Sequence, residues 1–68
     1  MKNFSIEANN SIREVYYYCE QIMQGGRMVP NSLSYAFKFN NKRDAKSKLN
    51  ELKNKYKGLH NWVVIENN

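Results

Sequence analysis

The sequence predicts an α+β fold, a small two-layer sandwich with two helices on one face of an antiparallel sheet. Three observations predict it. Apolar residues alternate in the stretches NFSIEA and LSYAFKF, at the two-residue period of half-buried strands. Between Ser11 and Gln24, and again between Asn41 and Lys57, they recur at three- and four-residue steps, the period of an amphipathic helix. The 68 residues, 41% apolar and 25% charged, suit one folded domain, 1–68, and are too few for a second core.

In NFSIEA, Phe4 and Ile6 share one side and Ser5 and Glu7 the other. Asn9, Asn10 and Ser11 then break the alternation. Ser11 and Glu14 stand at the S-x-x-E spacing of a capping box, in which the two side chains satisfy free N–H groups of a first helical turn. The spacing predicts a helix from Ser11, with Ile12, Val15, Tyr16, Cys19, Ile22 and Met23 on its buried stripe. Tyr17 would face outward beside Arg13 and Gln21. Gly25 and Gly26 end it, because glycine takes a left-handed cap conformation without steric cost.

Arg27–Val29 predicts a short strand, and Pro30–Ser32 a turn with proline at its second position. Leu33, Tyr35, Phe37 and Phe39 alternate with Ser34, Ala36 and Lys38, which predicts a strand with the four large side chains inward. Asn41, with Asp44 three residues on, caps a second helix that Gly58 closes. Ala45, Leu49, Leu52 and Tyr56 form its buried stripe. NWVVIE is the last strand. Trp62 to Ile65 is apolar throughout, so alternation leaves two phases open: Trp62 and Val64 facing out, or facing the core. The resulting order, strand–helix–strand–strand–helix–strand (βαββαβ), is the split βαβ pattern of ferredoxin-like folds. If Arg27–Val29 is loop, a three-stranded α/β sandwich remains.

Net charge is +5, and its distribution is uneven. Residues 38–57 hold eight basic residues against Asp44 and Glu51, a net +6, while the remainder is net −1. On a wheel of 3.6 residues per turn, Lys42, Lys46, Lys53 and Lys57 fall together on one flank of the second helix, with Arg43 just behind. Asp44 and Glu51 lie on the other flank, each four residues ahead of a lysine, Lys48 and Lys55, in the favourable order for a helical ion pair. A solvated lysine face and a phosphate-contacting ridge both have this appearance. The ridge would bind nucleic acid through Lys42, Arg43, Lys46, Lys53 and Lys57, with Lys38 adjacent, by salt-sensitive contacts.

The stretch SYAFKFNNKRDAKSKLNEL resembles the third strand and following helix of an RNA recognition motif. The resemblance implies base-stacking aromatics at alternate strand positions, Tyr35 and Phe37 here. It would also put Lys38 in the core, where lysine does not belong, so the likeness extends to topology alone.

A catalytic centre is not expected. Cys19 lies on a buried stripe, where a thiol behaves as a small apolar group, and His60 is the single histidine. One cysteine and one histidine make no zinc site, and Gly25–Arg27 follows a helix instead of linking strand to helix, so it cradles no phosphate. No cofactor is expected. A lone cysteine and the absence of an apolar leader in MKNFSIEANN point to a cytoplasmic protein without membrane contact. Two functions of different class therefore stand: a nucleic-acid-binding module acting through the basic flank, and a protein-interaction module, adaptor or inhibitor. The second would act through the open sheet or a strand edge, with Trp62, Val64 and Tyr17 as contacts and a homodimer through the sheet as one form.

Overall fold

The computed structural model describes residues 2–21 and 25–68. It has four strands, β1 (Asn3–Asn9), β2 (Val15–Gln21), β3 (Gly25–Pro30) and β4 (His60–Asn67), and one α-helix, α1 (Lys42–Lys55), among the described residues. The strands form one antiparallel sheet in the order β3-β2-β1-β4. A three-stranded meander is thus followed by a helix that crosses one face and returns the chain to the far edge beside β1. This overturns the two-helix ferredoxin-like expectation, and the topological likeness to an RNA recognition motif with it.

The first expected helix is strand β2. Val15, Tyr16, Tyr17 and Tyr18 are β-branched or aromatic and fit a pleated surface better than a helical turn. Tyr18 and Cys19 are both buried although they point to opposite faces, so the run carries no clean alternation to betray a strand. Ile22 and Met23 of the expected stripe lie outside the described residues. Glu14 serves a hairpin turn in place of a helix cap. The Asn10 carboxamide oxygen accepts from the Ile12 and Glu14 N–H groups at 3.1 and 2.9 Å, and its amide donates to the Glu14 carboxylate at 2.8 Å. With Arg13 N–H on Asn10 O and Arg13 at φ 66°, this is a three-residue hairpin loop ending in a left-handed residue.

The expected strand over Leu33–Phe39 is a 3₁₀ turn (Leu33–Tyr35) and a short extended crossing. Leu33 and Tyr35 point into solvent, 50% and 79% exposed, while Ala36 and Phe39 are buried and Phe37 is half-buried. The crossing passes between β2 and β1. Phe37 N–H donates to Tyr18 O at 2.8 Å, and Phe39 and Phe4 exchange both backbone bonds at 2.7 and 3.0 Å. β1 and β2 pair only from Glu7 to Asn9, and the crossing fills the gap where they splay apart. Its alternation sends Phe37 and Phe39 to the helix side and Lys38 to the other face.

Ile6, Ala8, Tyr18 and Met28 of the sheet, Phe39 of the crossing, and Ala45 and Leu52 of α1 form the core. Tyr18 stacks on Phe39 at 6.0 Å and meets Phe37 edge-on at 6.1 Å, and Phe37 meets Phe39 edge-on at 4.7 Å. Each such pair contributes about 0.5–1.5 kcal/mol beyond its buried area. The second helix, its cap and its stripe are as the sequence predicts. Asn41 Oδ1 accepts from Asp44 N–H at 2.8 Å, and Ala45 and Leu52 are buried with Leu49 and Tyr56 half-buried. The helix ends at Tyr56, whose N–H reaches Leu52 O, ahead of Gly58.

Candidate functional site

Two grooves flank α1, and they differ in charge. One, of about 420 Å³, faces β2 and carries Glu20, Asp44 and Glu51 together with Lys38 and Lys48. Lys48 is already engaged: its Nζ lies 3.2 Å from the Glu51 carboxylate and 5.7 Å from the centre of the Tyr18 ring. The expected Asp44–Lys48 and Glu51–Lys55 pairs are replaced by this one bridge. Asp44 is held instead by the Asn41 amide at 3.1 Å, in the helix cap.

The other groove, of about 400 Å³, runs between α1 and the edge strand β4. Lys42, Lys46, Leu49 and Asn50 form its helical wall, and Trp62, Val63 and Val64 its strand wall. No acidic residue lines it. Lys42 and Lys46 are one turn apart, about 6 Å along the axis, and both are exposed. Among the described residues neither makes an ion pair, nor do Arg43, Lys53 and Lys57. Lys53 continues the same flank by helical phase. Lys57 lies past the helix end, in the turn from Tyr56 to Leu59, where helical phase no longer sets its direction. Arg43 is exposed further round the helix, away from the sheet.

Trp62 faces this groove because Val64, two residues on, pairs with the buried Ile6, and a bulge precedes it. Glu7 pairs with Val63 and Asn9 with His60, so two residues of β4, Asn61 and Trp62, oppose the single Ala8. Asn61 takes the left-handed conformation, φ 55°, that the extra residue requires. Trp62 and Val64 then share the face of Ile6 and pack half-buried against the core. This settles their phase and corrects their assignment to an outward sheet surface. The indole Nε1 donates to Leu59 O at 3.1 Å, which fixes the ring and uses its one polar group.

No protein-family model, curated protein or solved structure matches this chain. The site is therefore read from its own chemistry.

Lys38 does not join the basic flank. Its ammonium crosses to the opposite face of the sheet, 3.4 Å from Ser5 Oγ, which also accepts from the Asn67 amide at 2.8 Å. Tyr17 is on that face too, paired with Glu7 across the strands, and its pKa is raised by burial first and then by the Glu7 carboxylate. Around it stand Val63, Ile65 and Val29, and Val63 is exposed. Cys19 lies on this face beneath the crossing, with Ser32 O 4.0 Å from its sulfur; burial raises its pKa and outweighs Arg27 and Lys38. It is a packing residue. Among the described residues no group of acidic, histidine and cysteine side chains is placed to hold a metal ion, and no helix is long and apolar enough to cross a membrane.

Sequence reasoning found the lysines and found Trp62, and missed that they meet. No local signal could have found this, because the phase of the apolar run from Trp62 to Ile65 is set by its pairing with β1.

Proposed function

We propose that the protein binds nucleic acid in the groove between α1 and β4, holding phosphates with Lys42 and Lys46 and with Lys53 further along the helix. The observation that carries this reading is the convergence of unneutralised lysines and Trp62 on one groove that has no acid in it. Phosphates are the natural counterparts of such ammonium groups, and each contact releases condensed counterions. Binding therefore falls steeply with salt and depends little on sequence.

The test is fluorescence anisotropy of labelled DNA and RNA across a salt series. Affinity is expected to fall linearly on a logarithmic plot against salt, and the charge reversals Lys46→Glu and Lys53→Glu to abolish it at moderate salt. An absence of binding to any nucleic acid at low salt overturns the reading.

A second reading has its own observation. The sheet face away from α1 presents Val63 and Ile65 beside Tyr17, and the 3₁₀ turn adds exposed Leu33 and Tyr35. A protein partner or a second copy on this surface would bind in a salt-insensitive way, because burial of apolar area would drive the contact.

A further inference from the structure

Resting on the nucleic-acid reading, we infer that the strand held in this groove is single, with one base laid against Trp62. The phosphate contacts alone suit a duplex or a single strand equally. Trp62 does not. It is the only tryptophan of the chain and it lies half-buried in the strand wall, while Lys42 and Lys46 on the helical wall are exposed. A duplex keeps its bases stacked inside two backbones and offers the groove only its phosphates. An unpaired strand can turn one base inward while its phosphates stay on the lysines.

The chemistry of the ring agrees. Its N–H is already given to Leu59 O, so the indole offers a ligand no hydrogen bond, only its π-face. Stacking on such a face accepts any base. Polar partners for the edge of that base stand beside it. Asn50 contributes a carboxamide from the helix. Val64 contributes its backbone: Phe4 gives both its main-chain bonds to Phe39, so Phe4–Glu66 and, two residues on, Ile6–Val64 are pairs that do not bond across to β4. The N–H and C=O of Val64 therefore point outward at the sheet edge. In the described fold no strand lies beyond β4 to take them. An aromatic face, an amide, an open main-chain donor and acceptor and two cations within one groove match a nucleotide with its base unpaired.

The test uses the unmodified chain, a labelled oligothymidylate, and the same strand annealed to oligoadenylate. Anisotropy reads affinity and Trp62 emission reads stacking. The single strand is expected to bind at least about fivefold more tightly than the duplex, the low end of what one base gains on an aromatic ring. It is also expected to quench Trp62, and the duplex to leave the emission unchanged. Trp62→Phe, which keeps an aromatic face, retains part of the preference; Trp62→Leu removes it while residual binding keeps its salt dependence. Equal affinity for both forms with unaltered emission overturns the inference and leaves phosphate binding standing. No binding of either form at low salt overturns the reading beneath it. Should Trp62→Leu fail to fold, the emission of the unmodified chain and the Trp62→Phe comparison decide.

Discussion

The phenol of Tyr18 fills the space in which a side chain on Gly26 would begin. A Cβ built there collides with the hydroxyl oxygen and the ring carbons beside it. Glu20, the cross-strand partner of Gly26, accepts the Tyr18 hydroxyl hydrogen at 2.8 Å and holds the ring across the strand. The aromatic cluster under α1 thus depends on a missing side chain on β3. Gly26→Ala is expected to destabilise the fold by about 1–3 kcal/mol, the range for forcing extra volume into a packed site. Gly58→Ala, where a Cβ meets nothing within 4 Å, should change stability by less than about 0.5 kcal/mol. Urea denaturation of the two variants checks both.

The same tyrosine gives the fold a pH dependence at the alkaline end. Burial first, then the hydrogen bond to Glu20 and the charges of Glu20 and Glu51, raise the Tyr18 pKa well above the ordinary 10.0. A folded-state pKa above the unfolded one means that the folded chain holds the proton longer. The stabilisation is therefore complete below pH 10.0 and is lost as pH climbs beyond it towards the folded value. Denaturation midpoints taken below and above pH 10.0 should fall less in Tyr18→Phe than in the unmodified chain. Equal falls would show that the Tyr18 proton contributes nothing to the alkaline loss of stability.

The β1–β2 hairpin turn offers two opposed substitutions. Arg13 sits at φ 66°, a conformation that costs a side-chain-bearing residue about 1–2 kcal/mol and glycine little. Arg13→Gly should therefore stabilise, by up to about 1 kcal/mol after the entropy that glycine loses on folding. Asn10→Ala removes three local hydrogen bonds at an exposed site and should destabilise by about 1 kcal/mol. Thermal melts of both variants test the pair, and a destabilised Arg13→Gly would contradict the turn assignment.

The nucleic-acid reading makes a quantitative statement of its own. Replacing Lys42 and Lys46 by glutamine should lower the magnitude of the logarithmic salt slope by about 2 on duplex DNA, one unit for each phosphate left without its ammonium partner. The melting temperature should stay close to its original value, because both side chains are exposed and unpaired among the described residues.

What the sequence made legible follows from where local signals were unopposed. The first strand and the capped helix each carry the period of the element they form, and the last strand shows as a short apolar run, though without its phase. Asn41 and Asp44 announce the helix start because no other structure uses that pair. The two misread stretches are those in which tertiary contacts override the local pattern. In Val15–Gln21 the core takes Tyr16 and Tyr18 while the crossing covers Cys19, so the pattern looks helical. In Leu33–Phe39 the alternation is real only for Phe37 and Phe39, which fill the gap between β1 and β2; Leu33 and Tyr35 merely repeat the rhythm in solvent. The lysine flank was legible from helical phase alone. Its meeting with Trp62 was not, because it depends on which strand the helix lies beside and on the register of that strand against β1.

β1 pairs along its length with β4: Asn3 stands opposite Asn67, and Ser5 Oγ accepts from the Asn67 amide. On its other side it has a continuous neighbour only from Glu7 to Asn9. The ladder that β1 makes along its whole length therefore joins opposite ends of the described fold and cannot form before β4 is available. Closure of the sheet is consequently a late and slow step of folding, and a chain cut after α1 would leave β1 without its principal neighbour.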